Sequence, residues 1–175
     1  MMKMLSALLL VLSVTTSLKS ADFYVSKTGN DMTGDGSLAN PWEHIQHAID
    51  QVSTTPGSTV YIMAGTYFEE LYIDAIGTEL TPIVIKPFAT DVVIIDGSMD
   101  MLQPTALLQI VNASYIRFEG LKFRNATGQF ASGIIVEGTS SNIQLVSNEV
   151  SNIVGSYAVG LLVRGAASNI TIQSN

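Results

Sequence analysis

Three segments of the chain open in the same way and recur at an even spacing. Ala113–Asn125, Ser140–Asn152 and Ala167–Asn175 each run from two small residues, through one variable residue, into an isoleucine: Ile116, Ile143 and Ile170. A second series, Leu107–Asn112, Gly133–Gly138 and Gly160–Gly165, keeps that step almost unchanged. An earlier run, Asp91–Gly97, reads as a further copy, with Val93 as the counterpart of Ile116 at a slightly shorter step. A fixed period of about 27 residues means stacked units, because one unit cannot bury its own apolar face alone.

The pattern inside a unit says what is stacked. Ile116 and Phe118 alternate with Arg117 and Glu119; after Gly120, Leu121 and Phe123 alternate with Lys122 and Arg124. Period-two alternation gives strands with one buried and one wet face. Gly, Asn and Ser break the runs into short pieces. Neither a helical period nor a leucine-rich signature fits. The expected fold is all-β, a parallel β-helix with one coil per repeat. Asn148 aligns with Asn175, and Asn125 with Asn152. Amides one rung apart can hydrogen-bond along the axis, and turn chemistry explains the same residues; both readings stand.

The first half of the chain supplies the ends of the solenoid. Residues 1–20 carry Lys3, an apolar run from Leu5 to Val14, then small polar residues, which reads as a secretory signal peptide. The run is too short for a bilayer, which needs about 20 apolar residues. Residues 21–57 form the expected cap region. Trp42, Ile45, Ala48, Ile49 and Val52 have helical spacing, with Asn40 as N-cap and Pro41 at the first helical position. Residues 58–175 are the coils. The pattern stops at Asn175 inside a repeat and without a closing cap, so the expectation is a solenoid truncated at its C-terminus. Acidic residues already outnumber basic ones by 15 to 8, and losing the signal removes Lys3 and Lys19 but no acid. That balance argues against a nucleic-acid partner. The chain has no cysteine, hence no thiolate metal site or cysteine nucleophile. The expected product is a secreted, periplasmic or cell-surface monomer with no membrane segment after signal removal.

Further motifs carry a family resemblance. Phe23–Asp31, Gly34–Ser37, Asn40-Pro41-Trp42, Pro56–Tyr67 and Thr81–Pro87 resemble the opening of secreted right-handed parallel β-helix proteins of the pectate lyase-like superfamily. They are similar to the N-terminal part of polysaccharide lyases of the pectate lyase and alginate lyase/chondroitinase B groups. The resemblance implies β-elimination on a uronic-acid polysaccharide. It also implies calcium held by carboxylate oxygens, and a Lys or Arg that removes the C5 proton. In that family these groups lie on later coils. The resemblance therefore places the catalytic residues beyond Asn175, and the chain alone is expected to be inactive. A non-catalytic adhesin or carbohydrate-binding solenoid, and a β-helix glycoside hydrolase, are the competing functions.

Local candidates remain. Lys122 and Arg124 project together from one strand and Arg164 from another, a pattern suited to binding an acidic polysaccharide. Lys122 also aligns with Glu149, and Arg164 with Glu137, one repeat apart, which equally gives rung-to-rung ion pairs. Asp31 and Asp35, with Asn30 and Thr33, sit in a glycine-bearing loop that suits calcium or plain Asx turns. His44 and His47 are a weak zinc pair. Glu119, Glu137 and Glu149 face outward with no readable hydrolase pairing.

Overall fold

The computed structural model describes residues 20–99 and 106–175. The expected signal segment lies outside the described residues except for Ser20, whose hydroxyl donates to the Gly57 carbonyl at 2.5 Å. No helix among the described residues is long and apolar enough to cross a membrane.

The described strands are β1 (Asp22–Val25), β2 (Thr59–Ile62), β3 (Gly65–Tyr67), β4 (Leu71–Ile73), β5 (Ile83–Pro87), β6 (Val93–Asp96), β7 (Ala106–Val111), β8 (Ser114–Glu119), β9 (Lys122–Arg124), β10 (Ser132–Glu137), β11 (Ser141–Val146), β12 (Glu149–Ser151), β13 (Val159–Val163) and β14 (Ser168–Gln173). Helix α1 (Ile45–Val52) is inserted between β1 and β2. Every strand pairing is parallel, and from β2 onward each strand pairs with the one three places on. Three sheets result: β1-β2-β5-β8-β11-β14, β3-β6-β9-β12 and β4-β7-β10-β13. This is a right-handed parallel β-helix of four three-strand coils, with β14 beginning another.

The register matches the repeat. Ile116 pairs with Ile143 and Ile143 with Ile170; Phe123 pairs with Val150, and Ile134 with Leu161. Ile83, Ile116 and Ile143 are buried in one inward column, as are Phe118 and Leu145 in the next. β-Branched and aromatic side chains suit this packing because they fill the pleated inner face. Burying each such side chain contributes about 1.5–3 kcal/mol relative to leaving it exposed.

Two expectations are corrected. Val93 does not precede Ile116 in its column. It lies on β6 and pairs with Gly65, while Ile116 pairs with the earlier Ile83 on β5. The path from Ile83 to the β6 residue Ile95 is longer than the path from Ile116 to Phe123, the residue that pairs with Ile95. The extra length lies in the turn at Phe88–Val92, which breaks the period. The helix also begins at Ile45, with His44 as N-cap, not after Asn40 and Pro41. Trp42 instead bridges Val25 in parallel: its N–H donates to the Tyr24 carbonyl and its carbonyl accepts from Ser26. A residue tied into a strand cannot open a helix. From Ile45 the apolar face is as expected, and Ile45, Ala48, Ile49 and Val52 are buried over the first coil.

The asparagines serve both of the roles left open. Asn112, Asn125, Asn142, Asn152 and Asn169 all have left-handed backbone, which Asn tolerates better than other non-glycine residues. They also stack: Asn152 Nδ2 donates to Asn125 Oδ1 at 2.6 Å, and Asn169 Nδ2 donates to Asn142 Oδ1. Asn148 is buried; its Nδ2 donates to the Phe118 carbonyl and its Oδ1 accepts from the Leu121 N–H.

Candidate functional site

The three cations singled out above do not converge. Lys122 and Arg124 stand on the outer side of β9, whereas Arg164 follows β13 on a different sheet. Each holds a carboxylate on an adjacent rung. Lys122 Nζ donates to Glu149 Oε2 at 2.5 Å, Arg124 Nε to Asp96 Oδ2 at 2.9 Å, and Arg164 Nε to Glu137 Oε2 at 2.6 Å. The hydrogen bond from Lys122 holds the Glu149 carboxyl below its usual range. Burial opposes ionisation of Asp96. Hydrogen bonds from Ser98, Asn125 and Arg124 outweigh it and pull the carboxyl down to about 2.

The acidic loop is committed to its own backbone. Asp31 Oδ1 accepts the N–H groups of Glu43 and His44 at 2.8 and 3.2 Å, and Asp31 Oδ2 meets His44 Nδ1 at 2.6 Å. Asp35 Oδ1 accepts from Ser37 N–H, and Asn30 Oδ1 from the N–H groups of Met32 and Thr33. His47 turns away, edge-on to the Trp42 ring. Among the described residues no group of three or more His, Cys, Asp or Glu side chains is gathered as a metal set. The side chains of this loop, already occupied by backbone N–H groups and His44, do not fit a calcium centre.

A cleft of about 280 Å³ is bordered by Glu69, Glu70 and Asp96. Asp96 holds Arg124, and Glu69 accepts the Ile45 and Gln46 N–H groups at 3.2 and 2.9 Å, closing the start of α1. Burial raises the Glu69 carboxyl above its usual range despite those hydrogen bonds.

The more open chemistry lies along the outer face of the six-stranded sheet, which the sequence pattern does not single out. One outward column is Tyr24, Tyr61, Lys86 and Glu119; the neighbouring one is Val84, Arg117, Gln144 and Thr171. Tyr24 stacks on Tyr61 at 5.4 Å between centroids, and Lys86 Nζ lies 5.3 Å from the Tyr61 centroid. Lys86 borders a cleft of about 440 Å³ with Asp91 and Glu119. Arg117 Nε donates to Glu119 at 2.9 Å and Nη1 to Gln144 at 2.8 Å. Beside Arg117 a cleft of about 320 Å³ is formed with Glu79, Pro82, Tyr115, Asn142 and Asn169. The sequence period does place Arg117, Gln144 and Thr171 in one column. Glu79 belongs to a loop outside the repeat and leaves no periodic signal.

Comparison with known proteins agrees with this architecture. No family model matches the chain. It is 30% identical over 138 residues to the uncharacterized protein YwoF of Bacillus subtilis, covering 75% of this chain and 29% of that protein. It is 34% identical over 119 residues to the pectate lyase PEL9 of Emericella nidulans, covering 61% of this chain and 28% of the lyase. Among solved structures, the GH136 lacto-N-biosidase of Eubacterium ramulus superposes with a TM-score of 0.63 at 18% identity, covering 82% of this chain and 30% of that one. The pectate lyase Pel9A superposes at 0.61 with 14% identity, covering 85% and 46%. The chain is a pectate lyase-like right-handed parallel β-helix. It spans less than a third of the curated relatives it matches.

Proposed function

We propose that the whole protein is an exported, carbohydrate-active β-helix protein that cleaves an acidic polysaccharide by β-elimination, and that this chain supplies its capped coils. The observation carrying this reading is the 34% identity to a pectate lyase, which falls on a chain whose coils and cap have the lyase-like architecture. β-Elimination needs a base at C5 and a cation that neutralises the uronate carboxylate. We assign neither to the described residues. Calcium enters this reading as a requirement of the whole protein. Lys122, Arg124 and Arg164 enter it as polyanion contacts, each exchanging its carboxylate partner for one on the polymer. The negative net charge does not oppose this, because binding follows the local field.

The test is an assay of the full-length secreted protein on polygalacturonate and rhamnogalacturonan, with calcium and with a chelator. Unsaturated product that disappears with the chelator is the expected result. New reducing ends without unsaturation would replace the lyase by a glycoside hydrolase, the reading favoured by the likeness to the lacto-N-biosidase. Polysaccharide binding without any cleavage would replace both by a binding solenoid.

A further inference from the structure

The cleft beside Arg117 is built around a residue that the repeat does not explain. Asn142 and Asn169 occupy equivalent places in successive coils with φ of 55° and 52°, but the same place one coil earlier holds Tyr115 at 54°. A bulky aromatic residue is a rare occupant of left-handed backbone, and such outliers gather at functional sites. The substitution also interrupts the ladder. Asn169 Nδ2 donates to Asn142 Oδ1, yet Asn142 Nδ2 has no amide oxygen to meet on the Tyr115 rung and makes no hydrogen bond. The half-buried tyrosine ring borders the cleft where the next amide would stand.

The turn that brings Glu79 to the cleft is held in place. Gly77 N–H donates to the Ser114 carbonyl at 2.8 Å, and a Cβ at Gly77 would come within 2.7 Å of the Tyr115 carbonyl oxygen. Thr78 and Thr81 close the turn through both backbone groups and through their hydroxyls at 2.6 Å. Glu79, at the tip of this turn, is exposed and has no hydrogen-bond or ion-pair partner. The cleft thus offers a free carboxylate acceptor, a free amide donor on Asn142, the Nε2 donors of Gln144, and apolar surface from Tyr115 and Pro82. The charge of Arg117 is already committed to Glu119.

We propose that this cleft is a glycan-binding subsite, separate from the cleavage chemistry, that takes an uncharged sugar residue through its hydroxyls. Hydroxyls both donate and accept, which suits a cleft lined by free amide donors and a free carboxylate. A carboxylate-bearing sugar would meet the free Glu79 carboxylate, and Arg117, the cation lining this cleft, is held on two sides by Glu119 and Gln144. The Arg117, Gln144 and Thr171 column runs along the solenoid axis, so a chain seated on Tyr115 can continue up the coils. This rests on the carbohydrate-active reading above and is tested apart from it.

The experiment is calorimetric titration of the full chain, its Tyr115→Asn variant and its Glu79→Gln variant with cellotriose, β-1,4-galactotriose and trigalacturonate. A neutral trisaccharide binds, each variant weakens it about tenfold, and Tyr115→Asn keeps or raises Tm because it restores the asparagine rung. A merely structural tyrosine would instead lower Tm. Unchanged affinity in both variants overturns the subsite, as does tighter binding of trigalacturonate than of either neutral sugar. No binding of a neutral trisaccharide also overturns it, whatever the lyase assay gives. Lyase activity in the full-length protein with no effect of these variants would remove the subsite and leave the enzyme reading standing.

Discussion

At the scale of single residues, Asn148 and Asp96 show how differently two buried polar side chains can be written into a chain. Asn148 falls one repeat before Asn175, and its Nδ2 and backbone N–H both meet Asn175 Oδ1. Its stacking is legible because the repeat is regular there. It also satisfies the Phe118 carbonyl and the Leu121 N–H inside the core. Asn148→Ala removes both of these buried bonds and strips the Leu121 N–H of its amide acceptor, so we expect a loss of about 2–4 kcal/mol, read as a lower urea midpoint at unchanged slope. A loss below about 0.5 kcal/mol would mean that water or a shifted neighbour replaces the amide. Asp96 is not legible. It sits in the irregular second coil and pairs with Arg124 on the next, where the sequence shows only the end of an apolar run. Its carboxyl is depressed from 3.8 to about 2. A depressed carboxyl stabilises the fold above its unfolded value and loses that contribution as pH falls through the folded one. The stability gap between wild type and Asp96→Asn is therefore expected to hold steady above pH 4 and to shrink by about 2 kcal/mol between pH 4 and 2. A gap that does not change with pH would remove the charge from the account.

At the scale of elements, helix α1 shows where local sequence rules yield to tertiary ones. Asn40-Pro41 is a sound local start signal, but Trp42 is drawn into a strand bridge and packs face to face on Phe23 at 5.1 Å. The first free N–H groups of the helix are instead met from far along the chain, by Glu69. Nothing in residues 40–52 announces so distant a partner, so the helix is readable and its cap is not. Glu69→Ala strips two helix N–H groups of their acceptor, at an expected cost of about 1–2 kcal/mol. An unchanged Tm would show that solvent serves as well. The His44–Asp31 contact sets a pH window for the same junction. The hydrogen bond to Asp31 raises the His44 pKa above 6.5. Its contribution is therefore complete below 6.5 and fades as pH rises through the raised value. His44→Gln is expected to cost more at pH 6 than at pH 9, and the reverse order would exclude the ion pair.

At the scale of the whole molecule, the later coils are legible in the sequence and the earlier ones are not, for one physical reason. A solenoid constrains only the residues that touch the neighbouring coil. Where turns are equally long, the contact register appears as a sequence period, as in β8 to β14. Where a turn lengthens, as at Phe88–Val92, the register survives in space and disappears from the sequence. The clefts suffer the same fate, since Glu79 and Asp91 sit in turns. Nearest-neighbour contact also predicts how stability is distributed. Ile143 packs between Ile116 and Ile170 in its column and is fully buried, whereas Ile170 has a described rung on one side and is half-buried. Truncating Ile143 to Ala should cost about 2–5 kcal/mol, as for a closed core position. In the 175-residue chain Ile170→Ala should cost clearly less, because its site there is half open to water. In the 175-residue chain, amide exchange should follow the same order, with protection highest in β8 and β11 and lower in β14, which among the described residues pairs with β11. If Ile143→Ala and Ile170→Ala were equally costly, and β14 exchanged as slowly as β11, the chain would open as one cooperative block. The coil-by-coil account would then have to be given up.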